Sequence, residues 1–180
     1  MRFLVFALAC LGLTLATPTA RAADEGVNLA TITCGAMKTD GPTSPRLLAA
    51  AFAGRIAANT RHARLSPELV KSIVATLDRA CDGTTDTADR KLADVIAGIA
   101  IPAKTDKDRD FATLTCAQLA PLWKEEARII VPFLVALRDT AANTPITRPA
   151  MDKVGQGLPK TCREPGNEAK LVTDLVKTLQ

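Results

Sequence analysis

Cysteine, histidine and the carboxylates are the residue types here that could carry chemistry: five Cys, one His and 19 Asp plus Glu among 180 residues. Thiolate and imidazole together would make a zinc site or a Cys–His nucleophile pair. The single histidine, His62, lies between arginines in Arg61-His62-Ala63-Arg64, a stretch that reads as a solvated loop. A pH-sensitive role suits an imidazole in general, but a lone loop histidine supplies neither a second ligand nor a positioned base. Glu125 and Glu126 are adjacent on an expected helix and point in different directions. Asp86, Asp89, Asp106, Asp108 and Asp110 fall in loops or caps without the spacing of a calcium loop. There is also no phosphate-binding loop or dinucleotide fingerprint. The sequence therefore predicts no catalytic residue, no metal ligand set and no cofactor, and the chain reads as a non-enzyme.

The cysteines have another use. Met1-Arg2, the apolar run Phe3 to Ala16 and the small-x-small triplet Ala20-Arg21-Ala22 have the form of a cleavable signal peptide over 1–22. The run is shorter than the roughly 20 residues of a membrane span, so no stable membrane insertion is expected. Lipidation at Cys10 is the competing reading, and it is disfavoured because Ala7 stands where a lipidation box has Leu. Loss of 1–22 leaves Cys34, Cys81, Cys116 and Cys162, an even set in an oxidising, periplasmic setting, which favours disulfides. Four cysteines allow three pairings, and a repeat chooses among them.

That repeat is the organising feature. Asn28-Leu-Ala-Thr-Ile-Thr-Cys34 and Asp110-Phe-Ala-Thr-Leu-Thr-Cys116 lie 82 positions apart, and each cysteine has a second one 47 or 46 residues downstream. Ala57-Ala-Asn-Thr60 recurs as Ala141-Ala-Asn-Thr144, and from Leu65 and Ile146 both copies run 16 residues to Cys81 and Cys162. Cys34–Cys81 and Cys116–Cys162 are then the natural pairs. By the chain-entropy estimate each closed loop is worth about 4 kcal/mol, which matters for a unit of about 70 residues with a thin core.

The elements that hold these cysteines read as helices. Ser44-Pro45 opens one, with Leu48, Phe52 and Ile56 on one face and Asn59-Thr60 at its end. Ser66 caps the next, with Pro67 first and Leu69, Val70, Ile73, Val74 and Leu77 forming a stripe up to Cys81. Leu92, Val95, Ile96 and Ile99 mark a last amphipathic segment. In the second copy Thr115-Cys-Ala-Gln118 fits a capping box. A long helix follows, through Leu119, Trp123, Ala127, Ile130, Leu134 and Leu137, with an expected kink at Pro132. Gly155, Gly157 and Pro159 predict early termination of the helix leading to Cys162, and Asn167 is the expected cap of the segment Leu171 to Leu179. No stretch alternates with period two. The expected fold is all-α: two small disulfide-stapled helical domains of about four helices each, 23–102 and 110–180, joined by a charged linker at 103–109.

Without 1–22, 21 of the 23 Lys and Arg remain against all 19 acids, a net charge of about +2. That dispersed, near-neutral balance excludes nucleic acid as the expected partner. Phe52 and Phe133 occupy matching places in the two copies, and Trp123 has no counterpart. Each is read as core, with subunit or client contact as the functional alternative.

Taken together, the Thr-Cys start, the second Cys about 45 to 50 residues on, the stripe helix running into it and the closing amphipathic helix make each unit resemble the HdeA family of small periplasmic helical proteins. The resemblance covers about 28–100 and 110–180. It implies disulfide-stapled helical domains and acid-stress protection, in which low pH exposes apolar surface that holds unfolding protein clients. It transfers the cysteines Cys34, Cys81, Cys116 and Cys162, and places Phe52 and Phe133 on the dimer and client surface. The two copies would pack as an intrachain pseudo-dimer. The alternative from another class is an immunity- or inhibitor-type module that binds one specific secreted protein.

Overall fold

The computed structural model describes residues 26–38, 41, 43–82, 85–139 and 144–179; the signal-peptide and Cys10 readings lie outside them. Within this range the chain is mostly helical. A 3-10 turn at Cys34–Ala36 precedes α1 (Pro45–Thr60), α2 (Pro67–Ala80) and the short α3 (Leu92–Ile96). The second copy contributes α4 (Cys116–Arg138), α5 (Arg148–Cys162) and α6 (Val172–Thr178). Two-residue strands β1 (Arg64–Leu65) and β2 (Arg109–Asp110) form one antiparallel ladder.

Local chemistry accounts for most boundaries. Ser66 Oγ accepts from Leu69 N at 3.3 Å, and Thr147 Oγ1 accepts from Ala150 N at 3.1 Å, so equivalent hydroxyls start α2 and α5, each with Pro in its first turn. Thr115 N donates to Gln118 Oε1 at 2.9 Å, one arm of the anticipated capping box. The first copy turns at Gly41, held at φ +88°, a conformation that glycine adopts without a Cβ clash. Eighty-two positions later stands Trp123, and there the second copy continues as one unbroken helix.

Three expectations are corrected here. α5 does not stop early; it runs through Gly155, Gly157 and Pro159 to Cys162. Val154 and Leu158 are fully buried, and tertiary packing of this kind overrides weak propensity. Asn167 does not cap α6, whose N-cap is Leu171. Instead the Asn167 side chain is buried and donates to Thr161 O at 2.7 Å, closing the turn after α5. Finally, the sequence showed no strand pattern, yet β1 and β2 pair, because two-residue ladders need no period-two signature.

Each copy is closed by the same contacts. Cys34 N donates to Arg90 O (2.9 Å) and Leu92 N to Ile32 O (3.0 Å); Cys116 N donates to Lys170 O (3.1 Å) and Val172 N to Leu114 O (2.9 Å). Between the copies the arms ahead of the first cysteines cross over. Val27 pairs with Ile146, exchanging two hydrogen bonds of 2.8 Å, while Arg109 pairs with Leu65 in the β1–β2 ladder. Val27 corresponds to Arg109 and Leu65 to Ile146, so the exchange is reciprocal. The buried apolar side chains of both copies form one contiguous core.

Candidate functional site

The principal helix–helix contact is α1 on α4, one helix from each copy. Small residues permit it: Ala49, Ala50, Ala51, Ala53 and Ala57 of α1 are all buried. At Gly54 the backbones come so close that a Cβ would overlap Phe133 O and lie 3.0 Å from the Ala136 Cβ. Phe52 is 4% exposed, and Phe133, whose backbone meets Gly54, is 0% exposed. Phe111, from the crossing arm, packs on Phe133 with ring centroids 5.2 Å apart, a spacing typical of attractive aromatic pairs. The folded chain therefore offers neither Phe52 nor Phe133 to a partner. Trp123 is half-buried against the core in the N-terminal half of α4.

The cysteines are brought together in both predicted pairs. Cys34–Cys81 and Cys116–Cys162 are disulfides with Cα–Cα distances of 5.1 Å each. Each ties the start of its copy to the end of the stripe helix, α2 or α5, so each staple pins a helix on one side of the seam. Disulfides of this kind fit an oxidising compartment.

Arg138 forms a two-pronged pair with Asp139 (2.7 and 2.9 Å) and donates to Leu179 O at 2.7 Å, fastening the C-terminal segment to α4. Burial pushes the Arg55 guanidinium below its ordinary range, and the nearby Asp139 carboxylate opposes that shift. In the segment read as a linker, Asp108 has no exposed side-chain surface; it pairs with Arg64 at 3.4 Å and accepts from Thr105 Oγ1 at 3.0 Å. Arg64 also donates to Pro102 O at 3.0 Å, so 102–110 lies as a strap along the first copy. Sequence reading missed Arg64, Asp108, Arg55 and Asp139, because nothing in their spacing tells which charges become buried.

His62 is exposed at the end of α1, and no group of three or more His, Cys, Asp or Glu side chains among the described residues could hold a metal. No helix there is long and apolar enough to cross a membrane. Two surface clefts flank the end of α1, of about 610 and 440 Å³, sharing Ala57, Arg61, Ala63 and Ala112. No known family, curated protein or solved structure matches the chain.

Proposed function

We propose that this protein is a non-enzymatic, HdeA-like stress chaperone of the periplasm, built as a tandem of two units that form an intrachain pseudo-dimer and bind unfolding proteins. One observation carries the reading. The principal helix–helix contact lies between the two copies at the α1–α4 seam, while each copy keeps its own staple and its own set of closing hydrogen bonds. Separation of the copies would expose the Gly54 face of α1 and the Phe133–Ala136 stretch of α4 while the staples hold each copy together. Acid supplies a force for that separation. Neutralising all 19 carboxylates and charging His62 moves the mature chain from about +2 to about +22, which favours expansion through self-repulsion. It also removes the carboxylate charge from the Arg64–Asp108, Arg109–Glu126 and Arg138–Asp139 pairs.

The test is light scattering of an acid-labile client at about pH 2.5, below ordinary carboxylate pKa values. Equimolar protein should suppress aggregation, bind an apolar dye at the same pH, and lose suppression once both disulfides are reduced. Unchanged aggregation at a stoichiometric amount refutes the chaperone reading.

A further inference from the structure

The 440 Å³ cleft at the end of α1 has a composition that the seam does not explain. Its mouth is formed by the Arg61–Arg64 loop, the strap at Lys104 and the start of α2 at Ser66. The loop backbone is held by hydrogen bonds at Arg61, His62, Ala63 and Arg64. Arg61 N returns to the Ala57 and Ala58 carbonyls with φ 56°, the one left-handed non-glycine among the described residues. His62 N donates to Ala57 O at 3.0 Å, Arg64 N to His62 O at 2.6 Å, and Phe111 N to Ala63 O at 2.7 Å. Of the basic side chains lining the cleft, Arg64 is committed to Asp108 and Pro102. Those of Arg61, His62 and Lys104 engage no hydrogen-bond or ion-pair partner among the described residues. The one acid in the lining, Asp110, already accepts from Ala112 N at 3.0 Å. The bonds from Arg61 N and His62 N also occupy carbonyls at the negative end of α1, while the 14-residue α2 begins at the same cleft with its positive end.

From this geometry we infer that the cleft is a binding site for a compact, multiply charged small anion of the polyphosphate or polycarboxylate type, held by Arg61, His62 and Lys104. Three donors on a pre-fixed loop and strap meet such an anion without reordering the backbone, and charge-assisted bonds are the strong ones. Its volume lies within the ~300–1,000 Å³ of ordinary ligand sites. The inference is independent of the chaperone reading, since it concerns the folded chain at neutral pH and needs no opening of the seam.

His62 is the only histidine in the chain, so its ring-proton NMR signals report on the cleft alone. Pyrophosphate or citrate, titrated into the full chain at neutral pH and low ionic strength, should move those signals along a saturating curve. Arg61→Gly keeps the left-handed backbone and removes the guanidinium; Lys104→Glu reverses a strap charge. Each should weaken binding about ten-fold, as expected for loss of a charge-assisted contact. A preference for pyrophosphate over citrate, or the reverse, identifies the anion class. The inference is overturned if chloride at matched ionic strength reproduces the shifts, if no saturation is reached by about 10 mM (a binding free energy weaker than about −3 kcal/mol), or if both folded variants bind like the parent chain.

Discussion

Gly54→Ala and Gly155→Ala are the same chemical change in two helices, and the structure assigns them opposite signs. In an open helix, replacing Gly by Ala stabilises by about 1 kcal/mol, because the chain loses less conformational freedom on folding. At Gly155 the new methyl would meet only Val131 Cγ2 at 3.8 Å, an ordinary contact, so the full gain should appear. At Gly54 the methyl would overlap the Phe133 carbonyl oxygen and lie 3.0 Å from both the Phe133 carbonyl carbon and the Ala136 Cβ. A backbone carbonyl inside a helix cannot rotate away, so α1 must move off α4. Over-packing of this kind costs about 1–3 kcal/mol, and the displacement also loosens the fully buried Phe133 and Ala136. The net expectation for Gly54→Ala is a loss of about 2 kcal/mol, against a gain of up to about 1 kcal/mol for Gly155→Ala. For a chain of this size 1 kcal/mol corresponds to about 2–4 °C in Tm. Calorimetric melts at neutral pH should place the first variant about 4–8 °C below the parent and the second up to about 4 °C above it. If the seam is what opens in acid, Gly54→Ala should also bind an apolar dye at a higher pH than the parent. A Gly54→Ala variant at least as stable as the parent refutes the close crossing of α1 and α4.

Other expectations follow from single contacts. Ser66→Ala removes the cap of α2 and should cost about 1 kcal/mol in urea denaturation, with a similar loss for Thr147→Ala in α5. Replacing Cys116 and Cys162 together by Ser frees a loop spanning 46 positions and should cost about 4 kcal/mol, read from the denaturation midpoint under oxidising conditions. Asp108→Ala leaves Arg64 without its carboxylate; because Arg64 keeps 22% of its side-chain surface in solvent, the expected loss is about 2 kcal/mol rather than that of a fully buried pair. A neutral outcome for Asp108→Ala in the same measurement would show that 102–110 is a passive connector.

How much was legible in advance depended on the range of the interactions. Ser66-Pro67 announced a helix start because capping involves side chains and backbone groups within one turn. The cysteine pairs were legible through the repeat, since two copies with the same spacing had to close the same way. Asn167 misled because the same amide can cap a following helix or close a preceding turn; only the position of the Thr161 carbonyl decides. Gly155, Gly157 and Pro159 misled because propensity weighs tenths to a few kcal/mol, whereas burying Val154 and Leu158 and anchoring Cys162 hold the helix in place.

By itself, then, the sequence determined a mostly helical chain, its internal repeat of cysteine spacing and its two disulfides, all written in local periodicity, capping residues and spacing. Only the tertiary structure decided that the two arms cross over, that Gly54 lets α1 and α4 touch, and that Phe52 and Phe133 lie inside rather than on the surface. It also settled which charges the fold commits, Arg64 with Asp108 and Arg138 with Asp139, and that Arg61, His62 and Lys104 line one cleft with no side-chain partner among the described residues. The reason is physical. Periodicity says that a helix has an apolar face, but which face it meets depends on backbone approach and burial between segments about 80 residues apart.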